Sequence, residues 1–407
     1  MLELNIEKIV AGGYGLARDA QGVILVAGAL PGETVLADVK EGKGVRRGVT
    51  RDVLSASRER VEAARLPTIN FSHARYEAQL RFKRDVVQEA LSRIAKLDGE
   101  VAQTVPSPRE WAYRGGAQYL IRGERLAYRE RQGHTPVTVE HDPLVIEAIV
   151  AFLERVDLWR LDGARELVVR ASLQTGEVLA ALIGEGAPRA FRRAAEALLD
   201  AGASGVSLAP PAERRFSRGE TLLAGEPTIL ERYGDYDLSV SATGFAQVNP
   251  LAAGELYRAV GAQAPELPVT AEAVDLYGGA GGLGLHLARR FSRVTVLDVA
   301  PEALRRGERD AQRLALSNVR FVQGNASEAQ GADLIVVDPP RSGLEAAARY
   351  AVQHSRASHL VYVSCDPATW ARDVGEFTRQ GWILRSATPY DFYPQTSHVE
   401  VLSLLER

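Results

Sequence analysis

Residues 273–289 read AVDLYGGAGGLGLHLAR. A short apolar run ending at Tyr277 meets five glycines within Gly278–Gly284, and a helical pattern follows. Gly279, Gly281 and Gly284 satisfy G-x-G-x-x-G directly after a strand-like segment, where glycine lets the backbone turn tightly and approach a bound group. Working outward, SRVTVLDVA, NVRFVQGNA, ADLIVVDPP and SHLVYVSCD are further apolar, β-branched runs that end in small or acidic residues. Helical stretches such as EALRRGERDAQRLAL lie between them. That alternation predicts a parallel sheet with crossover helices, and ligands bind at the carboxyl ends of such strands.

Those strand ends hold the candidate chemistry. Asp298 lies about 20 residues beyond the glycine turn, the place of an acid that holds ribose hydroxyls. Dinucleotides and S-adenosylmethionine (SAM) are both taken by this geometry, so the turn alone leaves both open. Asp338 is followed by Pro339, Pro340 and Arg341, so its carboxylate sits on a stiff turn with no neighbouring backbone donor, suited to an amide-like base edge. Cys365 is the single cysteine of the 407 residues, and it stands between the strand-like LVYVS and Asp366-Pro367. Asp366 reads as a helix N-cap with proline at the first helical position, so the thiol precedes a helix N-terminus, which favours the thiolate. The adjacent Asp366 carboxylate opposes that effect.

The rest of the chain has a different rhythm. Residues 1–57 alternate short β-like runs with glycine turns and predict a small all-β barrel. Its basic run places Lys40, Lys43, Arg46, Arg47 and Arg51 together, with Glu41 the only acid, as a candidate RNA-binding edge. YEAQLRFKRDVVQEALSRI (76–94) predicts an amphipathic helix whose core face carries Leu80, Val87, Leu91 and Ile94. Residues 110–245 mix strand-like runs (AQYLI, ELVVRAS, VLAALIG) with the helical APRAFRRAAEALLDAG. Trp111, Tyr113, Tyr119 and Tyr128 lie there as candidates for stacking on bases, each with core packing as its ordinary alternative.

Bulk properties set the limits. The length exceeds the roughly 250–300 residues at which single cores stop growing, so two or three domains are expected. One cysteine excludes an internal disulfide, and no signal-type start or spanning apolar run is evident, which fits a cytoplasmic protein with no membrane partner. A net charge of −3 leaves nucleic-acid binding to local patches. The basic residues are nearly all arginine, with lysine only at 8, 40, 43, 83 and 96. His73, His134, His141 and His398 have no metal-ligand spacing, so no metal site is expected.

FAQVNP (245–250), DLYGGAGGLGLHLAR (275–289), VDPPRSGL (337–344), SCDPATWARD (364–373) and HVE (398–400), in this order, resemble the RNA uracil-5-methyltransferase family, which acts on bacterial rRNA and tRNA. Residues 1–57, with ALPGE, resemble its N-terminal TRAM barrel, an OB-like RNA-binding module. PSPREWAYRGGAQ and the 76–94 segment resemble its central and linker segments. The resemblance implies a multidomain chain. Its parts are a TRAM barrel at 1–57, an α+β RNA-binding domain at 72–240, and a Rossmann-like α/β SAM-dependent methyltransferase domain at 241–407, with the 76–94 helix free to pack on the last.

The resemblance also implies roles: Cys365 as nucleophile, Glu400 as general base, and Gln247, Tyr277, Gly279, Gly281, Asp298 and Asp338 at the cofactor and target base, supported by Asn249 and Arg341. The implied reaction is SAM-dependent methylation of uridine C5, with 23S rRNA placed first and tRNA second, by a monomer. Three departures from the family stand out. No iron–sulfur cluster is expected from a single cysteine, and Asp142 stands where a cluster cysteine often sits. Gly278 stands where cysteine is frequent. Asp366 replaces the usual Asn, which keeps cytosine open as target base. Two other classes also stay open: an NAD-dependent oxidoreductase using the glycine turn, and a non-catalytic RNA-binding assembly factor.

Overall fold

The computed structural model describes residues 1–407 apart from 41, 43, 65, 130–134, 212–218, 264–265 and 327–330. Glu41 and Lys43 of the basic run and His134 therefore lie outside the described residues. The chain forms two compact units, neither a continuous stretch. The first comprises Met1–Glu110, Pro340–Gly343 and Ser364–Ser403. The second comprises Trp111–Pro339, Leu344–Val363 and Leu404–Arg407.

The first unit begins with six strands in one sheet, ordered Leu2–Asn5, Thr34–Lys40, Arg46–Ser55, Gly22–Ala27, Tyr14–Asp19, Lys8–Val10. Leu4, Ile6, Ala17, Ile24, Val26 and Val35 fill its core, as period-2 alternation requires. The same alternation sorts the basic run. Arg46 turns inward and pairs with Asp19, so it is structural, whereas Arg47 lies over the Tyr14 ring and Arg51 reaches Asp38 at 3.0 Å.

The helix Tyr76–Ala90 packs Ala78 and Phe82 on Ile9, Leu30 and Phe71. Its expected continuation to Ile94 is a π turn, Leu91–Ala95, closed by left-handed Lys96. The wider turn breaks the 3.6 period, which leaves Ile94 44% exposed while Val87 and Leu91 stay buried. Leu80 is only half-buried, and the polar Gln79 and Lys83 take the inward face instead. In the same unit the helix Pro367–Arg379 lies against this segment, and Gly375 approaches so closely that an added Cβ would stand 2.9 Å from Ala95 Cα.

The second unit contains a seven-stranded mixed sheet running from Thr221–Gly225 at one edge to Pro136–Thr138 at the other. Helices Glu147–Leu153 and Arg192–Asp200 cover it through Ile149, Phe152, Ala194 and Leu198. Three of the four aromatic candidates belong to packing. Tyr113, Tyr119 and Tyr128 are buried, the last two stacked at 5.0 Å, and only Trp111 is open to solvent. Buried Asp142 accepts from Tyr128 Oη at 2.5 Å and from Leu144 N at 2.9 Å, so it anchors this core.

The parallel sheet follows the expected runs. Five of the seven strands of this sheet lie in the order Val319–Gln323, Arg293–Asp298, Glu272–Leu276, Leu334–Val337, His359–Ser364. In chain order that is 3-2-1-4-5, so the direction of winding reverses beside Glu272–Leu276, where doubly wound sheets bind ligands. The near-continuous burial of Glu272–Leu276, Leu334–Val337 and His359–Ser364 reflects cover on both faces, whereas Val319–Gln323 is only partly buried. Among the described residues no helix is long and apolar enough to cross a membrane.

Candidate active site

In the second unit the glycine turn is built around Asp275. This residue is fully buried one position before the end of its strand, and Oδ2 accepts the Gly284 N–H at 2.8 Å while Oδ1 has no partner among the described residues. Cβ atoms on Gly278 or Gly284 would meet Val296 at 2.6 and 2.5 Å, so sterics fix glycine at both. Gly279 (φ +55°) has nothing within 4 Å of that position, which is room for a bound group. Gly281 (φ +81°) sits against Phe321. Tyr277 holds φ +62°, a left-handed conformation that non-glycine residues adopt at a cost and that clusters at functional sites.

Three carboxylates converge on this turn. Asp298 ends the neighbouring strand and accepts from Gly279 N at 2.9 Å and Ala300 N at 2.7 Å. Burial pushes the Asp275 carboxyl up to about 8, and the charges of Asp338 and Asp298 add to the effect. Burial likewise raises Asp338 to about 7, and among the described residues its carboxylate accepts no hydrogen bond. Such a cluster is incomplete without positive charge. A dinucleotide would bring a negative pyrophosphate to it, whereas SAM brings a sulfonium and an ammonium, so the residues fit SAM and disfavour NAD.

The FAQVNP turn lies in the same unit. Asn249 is buried and caps the helix Pro250–Gly261 through Ala252 N, which gives it a positioning part. The Gln247 carbonyl accepts from Tyr233 Oη at 2.8 Å. Just ahead, Arg170 donates to Gly244 O at 3.1 Å and Arg306 to Ser241 Oγ at 3.3 Å, which leaves Phe245 78% exposed at the tip.

The first unit holds the other candidates. Cys365 follows the strand His359–Ser364 and is half-buried. Asp366 is the N-cap expected, with Oδ1 accepting from Ala368 N at 3.0 Å and Thr369 N at 2.9 Å and Pro367 in the first helical position. Thr369 Oγ1 donates to the Arg341 carbonyl at 3.1 Å, and Arg372 donates to Ser342 O, so the turn after Asp338 is tied to the helix behind the cysteine. Glu400 opens the last strand and is buried. His398 sits edge-on to Tyr393 at 5.8 Å, and its N–H reaches Thr396 Oγ1.

Sequence reasoning assigned no role to Asp275 or to Lys83. The signal for the first was an acid inside an otherwise apolar strand end. For the second it was a rare lysine on the inward face of an arginine-rich helix.

A family model described as tRNA (uracil-5-)-methyltransferase matches residues 329–407, and a methyltransferase-domain model matches 273–338. An uncharacterized RNA methyltransferase of Halalkalibacterium halodurans is 30% identical, covering 100% of this chain and 97% of that protein. Another, of Gloeobacter violaceus, is 31% identical over 99% of this chain and 95% of its own. The chain belongs to the RNA uracil-5-methyltransferase family. It is therefore a SAM-dependent RNA methyltransferase. The crystal structure of Pyrococcus abyssi tRNA (uracil-54, C5)-methyltransferase in complex with S-adenosyl-L-homocysteine shares the fold, with a TM-score of 0.77 at 24% identity, covering 99% of this chain and 100% of that one.

Proposed function

We propose that this methyltransferase modifies C5 of a uridine through a covalent bond between Cys365 Sγ and C6 of the base. SAM supplies an electrophilic methyl group. The Cys365 thiolate adds to C6, and the C5–C6 π pair becomes an enolate nucleophilic at C5. After C5 has taken the methyl, the Glu400 carboxylate removes the C5 proton. The double bond re-forms and the thiolate leaves, so the cysteine is regenerated. Asp298 and the Gly279–Gly281 turn hold the cofactor with Tyr277, while Asp338 and Gln247 face the cofactor and base, supported by Asn249 and Arg341. The observation that carries this reading is the only cysteine, placed between a strand end and a capped helix N-terminus, in the same compact unit as Glu400.

The N-terminal sheet (1–57) serves as a TRAM-like RNA-binding module with exposed Arg47 and Arg51, residues 72–240 as further RNA contact, and 241–407 as the methyl-transfer part. The enzyme acts as a cytoplasmic monomer, and the target base must leave its stack, at a cost of a few kcal/mol. The sequence resemblance puts 23S rRNA first. The matched family description and the Pyrococcus protein both name tRNA, which supports tRNA as the second reading.

The test is transfer of labelled methyl from SAM to unmodified 23S rRNA, 16S rRNA and tRNA, with nucleoside analysis and Cys365→Ala as control. Label in 5-methyluridine of one RNA, absent with the variant, is the expected result. Label in 5-methylcytidine overturns the base assignment, and turnover by Cys365→Ala overturns the nucleophile. RNA binding without transfer to any of the three favours an assembly factor.

A further inference from the structure

We propose that the helix Tyr76–Ala90 positions the proton-removing base, with Lys83, Gln79 and Asp391 as positioning residues for Glu400. This rests on the reading above that Glu400 takes the C5 proton. The segment Asp391–Ser397 leads into Glu400 with only two residues between, and it is tied along its length to residues 70–83. Lys83 Nζ pairs with Asp391 Oδ1 and donates to Tyr393 O at 3.1 Å, while Asp391 Oδ1 also accepts from Tyr393 N. Gln79 makes a reciprocal pair with Gln395: Nε2 donates to Oε1 and Oε1 accepts the backbone N–H, both at 2.9 Å. The Gln395 carbonyl accepts from Asn70 N and Phe71 N, and Asn70 exchanges two hydrogen bonds with Ser397.

Two features of this network go beyond ordinary packing. Lys83 is 1% exposed and Asp391 is equally buried, and a buried ion pair rarely adds stability over an apolar pair of similar volume, because desolvation offsets the attraction. What such a pair does provide is one defined geometry. Gln395 is held at φ +67°, a conformation that a non-glycine residue keeps only when its surroundings impose it. Both devices act on the segment just before Glu400, and none of the residues involved carries the transferred group. Their function is therefore placement of the carboxylate.

The test is the double variant Lys83→Met/Asp391→Leu, which replaces the pair by apolar groups, assayed on RNA carrying hydrogen or deuterium at C5. The expected result is a folded variant with wild-type SAM affinity and rate of covalent adduct formation. Adduct breakdown should slow at least about tenfold, the scale of a small misplacement of a catalytic group, with a C5 isotope effect on turnover that the wild type lacks. Gln79→Met should show the same pattern more weakly and stands as the second test should the double variant not fold. Turnover within about twofold of wild type, or adduct formation slowed as much as breakdown with no isotope effect, overturns the proposal. Glu400→Gln separates the two readings: it should accumulate adduct, and if it instead turns over normally, the base assignment fails rather than the positioning.

Discussion

Gly279 donates its backbone N–H to Asp298 Oδ2 at 2.9 Å, so the acid that ends one parallel strand holds the glycine turn that follows its neighbour. The other Asp298 oxygen accepts from Ala300 N, and each carboxylate oxygen keeps capacity for one more donor. The turn is thus set before any ligand arrives, which is the condition for tight binding at low ordering cost.

Two glycine substitutions should separate fold from binding. Gly279→Ala places a methyl in open space at φ +55°, a strain of about 1 kcal/mol. It should fold, yet bind SAM at least about tenfold more weakly, because the methyl intrudes where the backbone approaches the ligand. Gly284→Ala brings a Cβ within 2.5 Å of Val296 and should cost about 1–3 kcal/mol of stability by overpacking. Denaturant melts and calorimetric titration of each variant check the contrast.

Cofactor affinity should depend on pH through Asp338. Burial raises this carboxyl to about 7, and a cationic ligand favours the ionised form. Affinity for SAM should therefore rise about tenfold between pH 6 and 8 and level off above. Asp338→Asn should bind more weakly at pH 8 with a nearly flat profile, and an unchanged slope in that variant would refute the assignment.

Stability should carry the opposite dependence through Asp275. Its carboxyl is raised by burial from 3.8 to about 8, so the folded state holds the proton more tightly than the unfolded one. The stabilisation is complete below about pH 4 and is lost as pH rises through about 8. His73, pushed down to about 4 by burial, and His286, also lowered by burial, act the other way below about pH 6.5, while Asp338, raised to about 7, adds to the fall up to that pH, so Asp275 stands apart only above about pH 7. The urea midpoint of the SAM-free chain should fall between about pH 7 and 8, and Asp275→Asn, which can still accept from Gly284 N, should flatten the fall in that interval.

Asp366 makes a helix cap that Asn also provides. Asp366→Asn should keep stability within about 0.5 kcal/mol and retain methyl transfer. Asp366→Ala should cost about 1 kcal/mol, because the N–H groups of Ala368 and Thr369 lose their acceptor. Melting curves and single-turnover methylation of the two variants provide the comparison.

What was legible in the sequence was local. The Asp366–Pro367 cap and the five parallel strands each follow from a few adjacent residues whose preferences agree with the final fold. The inward turn of Lys83 and Gln79 was not legible, because their partners Asp391 and Gln395 lie more than 300 residues away in the chain and no local pattern records them. The same limit applies to the aromatics. Tyr119 and Tyr128 carry the composition of a stacking surface, and only the packing of the mixed sheet shows that they stack on each other. Ile94 was misplaced because a period of 3.6 was carried through a π turn. Asp275 escaped because one carboxylate in an apolar strand looks like a packing compromise until the turn above it is seen.

The span between Lys83 and Asp391 has a consequence for biosynthesis. They are 308 positions apart, so a ribosome adding about 5–20 residues per second makes the lysine some 15–60 s before its carboxylate. Throughout that interval the nascent helix presents a cation on the face destined for the interior, where it resists premature burial. The six-stranded sheet has all its strands within the first 55 residues and can form early. The proposed seat of Cys365 and Glu400 cannot, because it waits for a segment made long after that sheet.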